Sequence, residues 1–578
     1  GFGFGIGVQG GSAAITVAAG GTVNGGGAGI ILLGTGASTI TNNGVVRALS
    51  NFAIDASNAA GGVTISNAAG AEIVGGVNLS GFADTLTNAG TFTAQGVNSN
   101  FGAGTDTFTN SGLVRLGASA APVSLAFQNL ETFSNLASGT IDLRQGAAGN
   151  ALAMPGTAYS GAAGSRLLVN AFLGAPGSVS DRLVVGTASG TTAIVVTDTN
   201  TGAGAYNPLG MLVVSTAAGT PASSFTLAQP INKGLWDYHL QRNAAGTEFR
   251  LASTAGVAAY ELALLPAAVR DMWHHSVAPF ADRLSELGSD GARSARTSLW
   301  LRANVTSGDR DVGAAAALAV SGTALAPYDL SSDQATTAIS VGIDRTVPSG
   351  AGQLSFGVGG GWTSNRTRFD RTLDRFTTEG ASVTGYVGWS GKALFATLVA
   401  HANFATTDMN IARVGNYRTE ADSWGAKLAT GYRAAFAGGF YLEPQASIAY
   451  VNSKIDGLVI QSTGVAFADV DSWRARGAMR AGKTWTSGST DWNLYASAGI
   501  DHEFGSVPGV ALLSGPGLLI PDNGDFSSGV FGAGLEVQDR SRGISGFLRG
   551  DYTGLNSDQW QGASVRLGVR FALGGSGR

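Results

Sequence analysis

Few side chains in this 578-residue chain are suited to chemistry, and their placement excludes several activities. The five histidines, His239, His274, His275, His401 and His502, all lie beyond residue 210, and cysteine is absent. The first 210 residues therefore offer no base for a Ser/His/Asp triad and no His ligand for a metal. Thiolate nucleophiles, disulfides and Cys-bound metals are excluded throughout. Before residue 151 the only charges are Asp55, Glu72, Asp84, Asp106, Glu131 and Asp142 with Arg47, Arg115 and Arg144. Carboxylates this scattered do not make the close pair that glycoside hydrolysis requires. Gly102-Ala103-Gly104-Thr105-Asp106 matches part of a calcium-binding nonapeptide repeat, but one partial match points rather to Asp84 and Asp106 as turn aspartates in solvent. His274 and His275 are adjacent, so on a helix they face different sides and make a poor metal pair. No catalytic, cofactor-binding or metal-binding residue is expected.

Composition narrows the class of protein. The 88 glycines and 13% charged residues suit many turns and short strands rather than a helical enzyme or a disordered chain. A net charge of −4 without a Lys/Arg-rich run gives nothing to attract a nucleic-acid backbone. There is no apolar run of the roughly eighteen residues a membrane helix needs, so membrane association has to come through strands. The length calls for two or three domains. No charged and apolar leader comes after Gly1, which places any signal peptide outside this sequence and leaves open how much precedes it.

The elements behind these residues fall into two kinds. In the first, a short phrase recurs: an apolar residue, Thr or Ser, Asn, one or more small residues, Gly, then an apolar strand. Its copies place Asn42, Asn67, Asn88, Asn110 and Asn135 at spacings of 25, 21, 22 and 25, and Ile15-Thr16-Val17 is a degenerate copy with Val17 in place of Asn. That period is about one coil of a right-handed parallel β-helix, whose coils bury their apolar strands only by stacking. Stacked Asn side chains can pass amide hydrogen bonds from coil to coil. Asn-x-Gly also marks hairpin turns of a β-sandwich, but the regular spacing argues against that.

The second kind occupies the C-terminal half. Dyad alternation appears near 298–305, 337–345, 353–363, 381–389, 393–405, 423–433, 440–452, 472–485, 491–503, 529–538, 543–553 and 562–572, twelve segments in all. An even number of strands of about ten residues fits a bacterial outer-membrane barrel, and a soluble sandwich is the rival. Arg302, Lys427, Glu443, Arg474, Arg476, Arg480, Arg549, Asp551, Arg566 and Arg570 share faces opposite apolar neighbours and would line a lumen. Trp300, Trp362, Trp389, Trp424, Tyr450, Trp473, Trp492, Tyr552 and Phe571 would supply the interfacial girdles. Between the two halves, residues 257–265 read as helical, and after Pro266 a second helix runs from Ala267 to Leu287 with Gly288 as its C-cap. Its length approaches the hydrocarbon thickness, yet Arg270, Asp271, His274, His275, Asp282, Arg283 and Glu286 forbid contact with lipid. It belongs in a polar lumen.

Four stretches resemble the autotransporter (type V secretion) family, among them Ser298-Leu299-Trp300-Leu301-Arg302, which is similar to the family's opening barrel strand. Ser180-Asp181-Arg182-Leu183-Val184-Val185-Gly186, with the later strands as far as Trp236-Asp237-Tyr238-His239-Leu240, is similar to the passenger end that carries the family's autochaperone segment. Tyr238 and His239 also read as an edge strand with alternating solvent contacts. Phe280-Ala281-Asp282-Arg283-Leu284 resembles the end of the family's plug helix, and Gly439-Phe440-Tyr441-Leu442-Glu443-Pro444 its Gly-x-x-Leu-Glu-Pro signature. The resemblance implies an all-β chain: a pertactin-like β-helical passenger (1–150), its C-terminal autochaperone region (151–256), a linker and plug helix (257–290) and a twelve-stranded outer-membrane barrel (291–578). It further implies export of the chain's own passenger to the cell surface for adhesion or aggregation, without enzymatic activity. An enzyme lying upstream and a porin-like channel are the rival functions. The partners implied are outer-membrane lipid, the barrel-assembly machinery, periplasmic chaperones and a ligand on a host or neighbouring cell. Phe571 stands where the family carries its barrel signal, though Ala572 to Arg578 lie beyond it here. The Asn-Asn pair of self-cleaving members is missing from the helix, which favours retention of the passenger.

Overall fold

The computed structural model describes residues 3–287, 295–314, 319–320, 323–324, 327–505, 509–521, 526–554 and 560–573, apart from the side chains of 281–287, 313–314, 319–320, 323–324 and Phe526. The chain divides into two compact units, one containing Gly1–Ala255 and the other most of the chain from Gly256 to Arg578. The expected Gly288 cap, the side chain of Arg283 and the residues after Leu573 lie outside the described residues.

The first unit is a parallel β-helix. One wall is an eight-stranded sheet whose parallel strands hold the repeat phrase, with Val17, Asn42, Asn67, Asn88, Asn110 and Asn135 in register. Each Asn Nδ2 donates to the Oδ1 of the next, at 2.8, 2.7, 2.8 and 2.8 Å. The second amide hydrogen goes to a carbonyl in the next coil, as from Asn67 to Thr91 O at 3.1 Å. All five side chains are buried. Buried amides are tolerated only when their hydrogen bonds are made, and the repeat makes them by identity of neighbours. Beside them Phe108, Phe133 and Tyr159 stack through the core with centroids 4.9 and 5.9 Å apart. The ladder ends at Tyr159, whose hydroxyl receives Asn135 Nδ2 at 3.4 Å and bonds Thr192 Oγ1 at 2.7 Å.

Past the last coils the pairing turns antiparallel, with strand Met211–Ser215 against Glu248–Ala255, which also pairs with Trp236–Arg242. This hairpin occupies the edge that a parallel stack would leave open. Trp236–Arg242 is not an edge strand, since Ile231–Lys233 flanks its other side. Tyr238 is buried with its hydroxyl donating to Ala205 O at 3.2 Å, while half-buried His239 meets Thr254 Oγ1 at 3.0 Å.

Asp84 and Asp106 are not in solvent; both are fully buried. Asp84 accepts backbone N–H groups from Val63 at 2.6 Å and Ser80 at 2.8 Å, and its own N–H donates to Asp106 Oδ1 at 2.7 Å. The N–H of Asp106 donates in turn to Glu131 Oε2 at 2.7 Å. Carboxylates thus cap strand starts from coil to coil, which a solvated aspartate would not do.

The second unit carries twelve long strands: β1 (Arg296–Arg310), β2 (Ser332–Ser349), β3 (Gly352–Phe369), β4 (Arg375–Ser390), β5 (Leu394–Ile411), β6 (Gly415–Tyr432), β7 (Phe440–Ile455), β8 (Val470–Ser487), β9 (Thr490–Phe504), β10 (Phe526–Asp539), β11 (Ile544–Gly554) and β12 (Gln561–Leu573). Each pairs antiparallel with its neighbour in sequence, and β12 returns to β1 along Thr297–Asp309. Closure leaves no unpaired edge, the condition for crossing hydrocarbon with strands. Large apolar residues such as Leu301, Val341, Leu398, Leu494 and Leu567 stand exposed on the outside, alternating with buried polar residues on the inside. No helix among the described residues is long and apolar enough to cross a membrane. Preceding β1 are helices α1 (Val257–Ala263) and α2 (Leu265–Leu287). Helix α2 starts two residues before the expected Ala267, because proline is tolerated in a first helical turn.

Two measurements test this architecture. Leu567, 52% exposed at the middle of β12, should cost roughly 2 to 4 kcal/mol when changed to Arg if it lies near the bilayer midplane. The inward Arg566→Leu should lack that depth penalty, and denaturant unfolding of the barrel in liposomes reads both. In the solenoid, burial first, and then the charges of Asp84 and Glu131, push the Asp106 carboxyl up to about 6. A carboxyl whose pKa is raised by folding takes up its proton at higher pH in the folded than in the unfolded state, so stability rises as pH falls through about 6 and is fully gained below the unfolded value of 3.8. Between pH 7 and 4 the melting temperature of the solenoid should therefore carry a component that Asp106→Asn abolishes; identical pH profiles for the two proteins would refute it.

Candidate functional site

The site is the barrel interior and the helix within it. Trp273, Val277 and Phe280, spaced four and three residues apart, form one face of α2 and pack with Trp300, Tyr386, Val399, Ala449 and Val451 of the wall. Glycines make room for the rings. A Cβ on Gly359 would come within 2.7 Å of Phe280 Cε1, and one on Gly425 within 2.7 Å of Trp273 Cζ2. Trp300 belongs to this seat rather than to a girdle: it is buried, with its indole N–H donating to Tyr386 Oη at 2.8 Å. Trp362, Trp424, Trp473, Tyr552 and Phe571 face outward and are exposed. Trp389, Tyr450 and Trp492 are partly exposed.

Polar contacts fix the register of the helix. Trp273 Nε1 donates to His401 O at 3.1 Å, and Ser276 Oγ lies 2.7 Å from His401 Nε2. Thr384 Oγ1 is 2.6 Å from His401 Nδ1, and Asn403 Nδ2 donates to Ser276 Oγ at 3.0 Å. A serine, a histidine and a third partner stand in line here as in a hydrolase. The Ser276 hydroxyl donates to Trp273 O at 2.9 Å, however, and the third member is a hydroxyl, which cannot stabilise an imidazolium as a carboxylate does. These groups anchor. Pro279 lacks the N–H that would bond the carbonyl four residues earlier, and that carbonyl, His275 O, receives Asn304 Nδ2 from β1 at 3.4 Å. Arg302 Nη1 donates to Pro279 O at 2.8 Å.

On another side of α2, charges meet. Asp271 accepts Arg474 Nη2 at 2.8 Å and lies 3.4 Å from Arg270 Nε, while Glu503 pairs with Arg474 and stands 3.6 Å from Arg270. Both histidines border the cavity on this side: His274 Nε2 is 3.9 Å from Glu503, and His275 Nδ1 is 3.4 Å from Thr306 Oγ1. Wall pairs complete the interior. Glu443 pairs with Arg433 at 2.5 Å and Arg480 at 3.6 Å; Asp551 pairs with Arg549 at 2.8 Å and with Arg566; Arg476 lies 3.5 Å from Asp501. Arg302 also stacks over Phe547 at 4.5 Å, Arg570 is buried, and Lys427 lines the cavity beside α2. Sequence reasoning missed Ser276, His401, Asn403, Glu503 and Asp344, which accepts from Tyr386 Oη at 3.2 Å. Among the described residues no cluster of His, Asp or Glu could hold a metal ion.

A closed strand barrel with an apolar outside, a charged inside and its own preceding helix in the lumen defines a transmembrane translocator type of barrel, here in one chain with a β-helix. Residues 299–551 match the autotransporter β-domain and residues 132–240 the type 1 autochaperone domain. The chain belongs to the autotransporter family, whose barrels reside in the outer membrane and whose passengers are exposed on the cell surface. Similar solved structures include the β-domain of the Bordetella autotransporter BrkA (18% identity, 48% of this chain and 99% of that one, TM-score 0.38). The transport unit of AIDA-I from Escherichia coli is 16% identical over 52% of this chain and 99% of that one, with a TM-score of 0.38. The translocator domain of NalP from Neisseria meningitidis is 15% identical over 55% and 99%, with a TM-score of 0.39. No curated protein matches.

If α2 fills the lumen, deleting residues 267–287 should raise single-channel conductance in planar bilayers well above that of the intact chain, provided heat-modifiable gel migration shows the barrel still folded. Equal conductance would put the helix elsewhere.

Proposed function

We propose that this autotransporter displays its β-helix as an adhesive or self-associating surface, with no catalytic role. The observation that carries this reading is the outer face of the eight-stranded wall. Thr39, Thr64, Thr85, Thr107 and Thr132 are in register down one column, and Thr41, Ser66, Thr87, Thr109 and Ser134 down the next. These uncharged hydroxyl columns point away from the buried Asn ladder. Such a wall offers many identical weak hydrogen-bonding sites, useful through multiplicity at a cell surface. The absence of histidine and cysteine from the repeats supports binding over catalysis.

The same reading divides the chain into repeats (1–150), an autochaperone region (151–256), a plug segment (257–290) and a barrel (291–578). Asn42, Asn67, Asn88, Asn110 and Asn135 hold coil register; the charged lumen residues, with Arg283, receive the helix; Phe571, on the outer face of the last strand, is read by the barrel-assembly machinery after periplasmic chaperones deliver the chain. The passenger stays attached, and its ligand lies on a host or neighbouring cell.

Cells displaying the whole chain should sediment or adhere faster than cells displaying a chain in which Thr64, Thr85 and Thr87 are changed to Lys. Equal behaviour of the two, together with turnover of an ester, peptide or glycoside substrate by the passenger, would replace adhesion with an enzyme reading.

A further inference from the structure

The lumen is unevenly filled. Helix α2 is seated by its apolar face on Trp300, Tyr386, Val399, Ala449 and Val451, which belong to β1, β4, β5 and β7. On its charged side a cavity of about 230 Å³ remains between Arg270, Asp271, His274, His275 and Ala278 of the helix and the wall formed largely by β6 to β12. The cavity reaches from Arg310 and Trp560, at one end of the strands, to Phe395 and Thr430 near the other. A second cavity, of about 360 Å³, lies at that other end among Arg302, Arg433, Trp485, Asp491 and Arg570.

The charge lining the first cavity is lopsided: eight Lys or Arg side chains against three Asp. Counting also Glu443 and Glu503, which pair with Arg480 and Arg474, the ratio is eight to five. Pairing within the wall reduces the local field of each cation but not the sum. In a narrow aqueous space with low-dielectric walls the net charge sets which ion enters, because field lines are focused along the gap. Arg549 and Arg566 are directly paired across β11 and β12, and Arg476 from β8 and Lys427 from β6 line the same cavity.

We propose that the crescent beside the seated helix is an anion-selective aqueous passage, admitting chloride-sized inorganic anions through the plugged barrel while excluding cations. This rests on the reading of α2 as a plug and adds a specificity to the space the plug leaves.

The test is the full chain in a planar bilayer under a potassium chloride gradient. The intact protein should carry a small current, below that of the chain lacking 267–287, whose reversal potential shows chloride preferred over potassium several-fold. Lys427→Glu with Arg476→Glu should move the permeability ratio several-fold toward potassium in a barrel still heat-modifiable on gels, and the neutral pair Lys427→Gln with Arg476→Gln gives the same direction more weakly should charge reversal prevent folding. Preference for potassium in the intact chain, or a selectivity unmoved in whichever pair folds, would overturn the proposal. An intact chain silent to ions while the helix-deleted chain conducts would overturn the passage and leave the plug standing; silence of both would remove the plug reading itself.

Discussion

Pairing of β12 with β1 is the contact on which the second half of the molecule depends. Thirteen residue pairs, from Thr297 with Leu573 to Asp309 with Gln561, join the ends of the sheet. An open twelve-stranded sheet would present two rows of unpaired backbone groups to hydrocarbon, at a cost of several kcal/mol for each. Once it closes, alternation along every strand has no freedom left: one parity meets lipid and the other meets whatever occupies the lumen. The apolar Leu301, Leu548 and Leu567 and the buried Arg302, Arg549 and Arg570 are consequences of that single closure.

A lumen lined by so many cations cannot collapse on itself, so its filling has to be polar, and α2 is built to supply that on one side only. Its Trp273, Val277 and Phe280 face makes a dry seat, where wall glycines substitute for the side chains that would otherwise crowd the rings. Its Arg270 and Asp271 side meets Arg474 and Glu503. Removing one partner of such a buried group of charges leaves another uncompensated, at about 3 to 5 kcal/mol, whereas the assembled group contributes little net stability. The charged contacts therefore specify where the helix sits, and the aromatic seat with its Trp273 to His401 hydrogen bond does more to hold it there.

The parts of this structure legible in the sequence are those with local periodicity. Asn spacings place the ladder coils, and dyad alternation finds all twelve strands, though as cores only: 298–305 grows to Arg296–Arg310 because Thr, Ser and Gly at strand ends blur the apolar rhythm. Parity also separates the tryptophans. Trp300 shares its face with Arg302, so it belongs inside rather than in a girdle, unlike Trp473, which alternates with Arg474. What sequence could not show is long-range: Ser276 meets His401 across 125 positions, and no local pattern marks either partner. The burial of Asp84 and Asp106 was hidden for a different reason. An aspartate beside turn residues looks solvated until the next coil is stacked on it, and its partners are backbone N–H groups that any sequence would have offered.

Stacking of that kind gives the β-helix a direction. A coil makes its amide, carboxylate and ring contacts with the next coil, so an isolated coil has neither its core nor its ladder. The ladder terminates at Tyr159 and Thr192, inside the stretch matched by the autochaperone domain. There Asp181 accepts four hydrogen bonds, from the N–H groups of Gly149, Asn150 and Asn170 and from Asn150 Nδ2, at 2.7 to 3.0 Å. One buried carboxylate thus ties three chain segments of successive coils, as Asp84 and Asp106 do nearer the other end, and the antiparallel hairpin beyond closes the edge that a further coil would otherwise occupy.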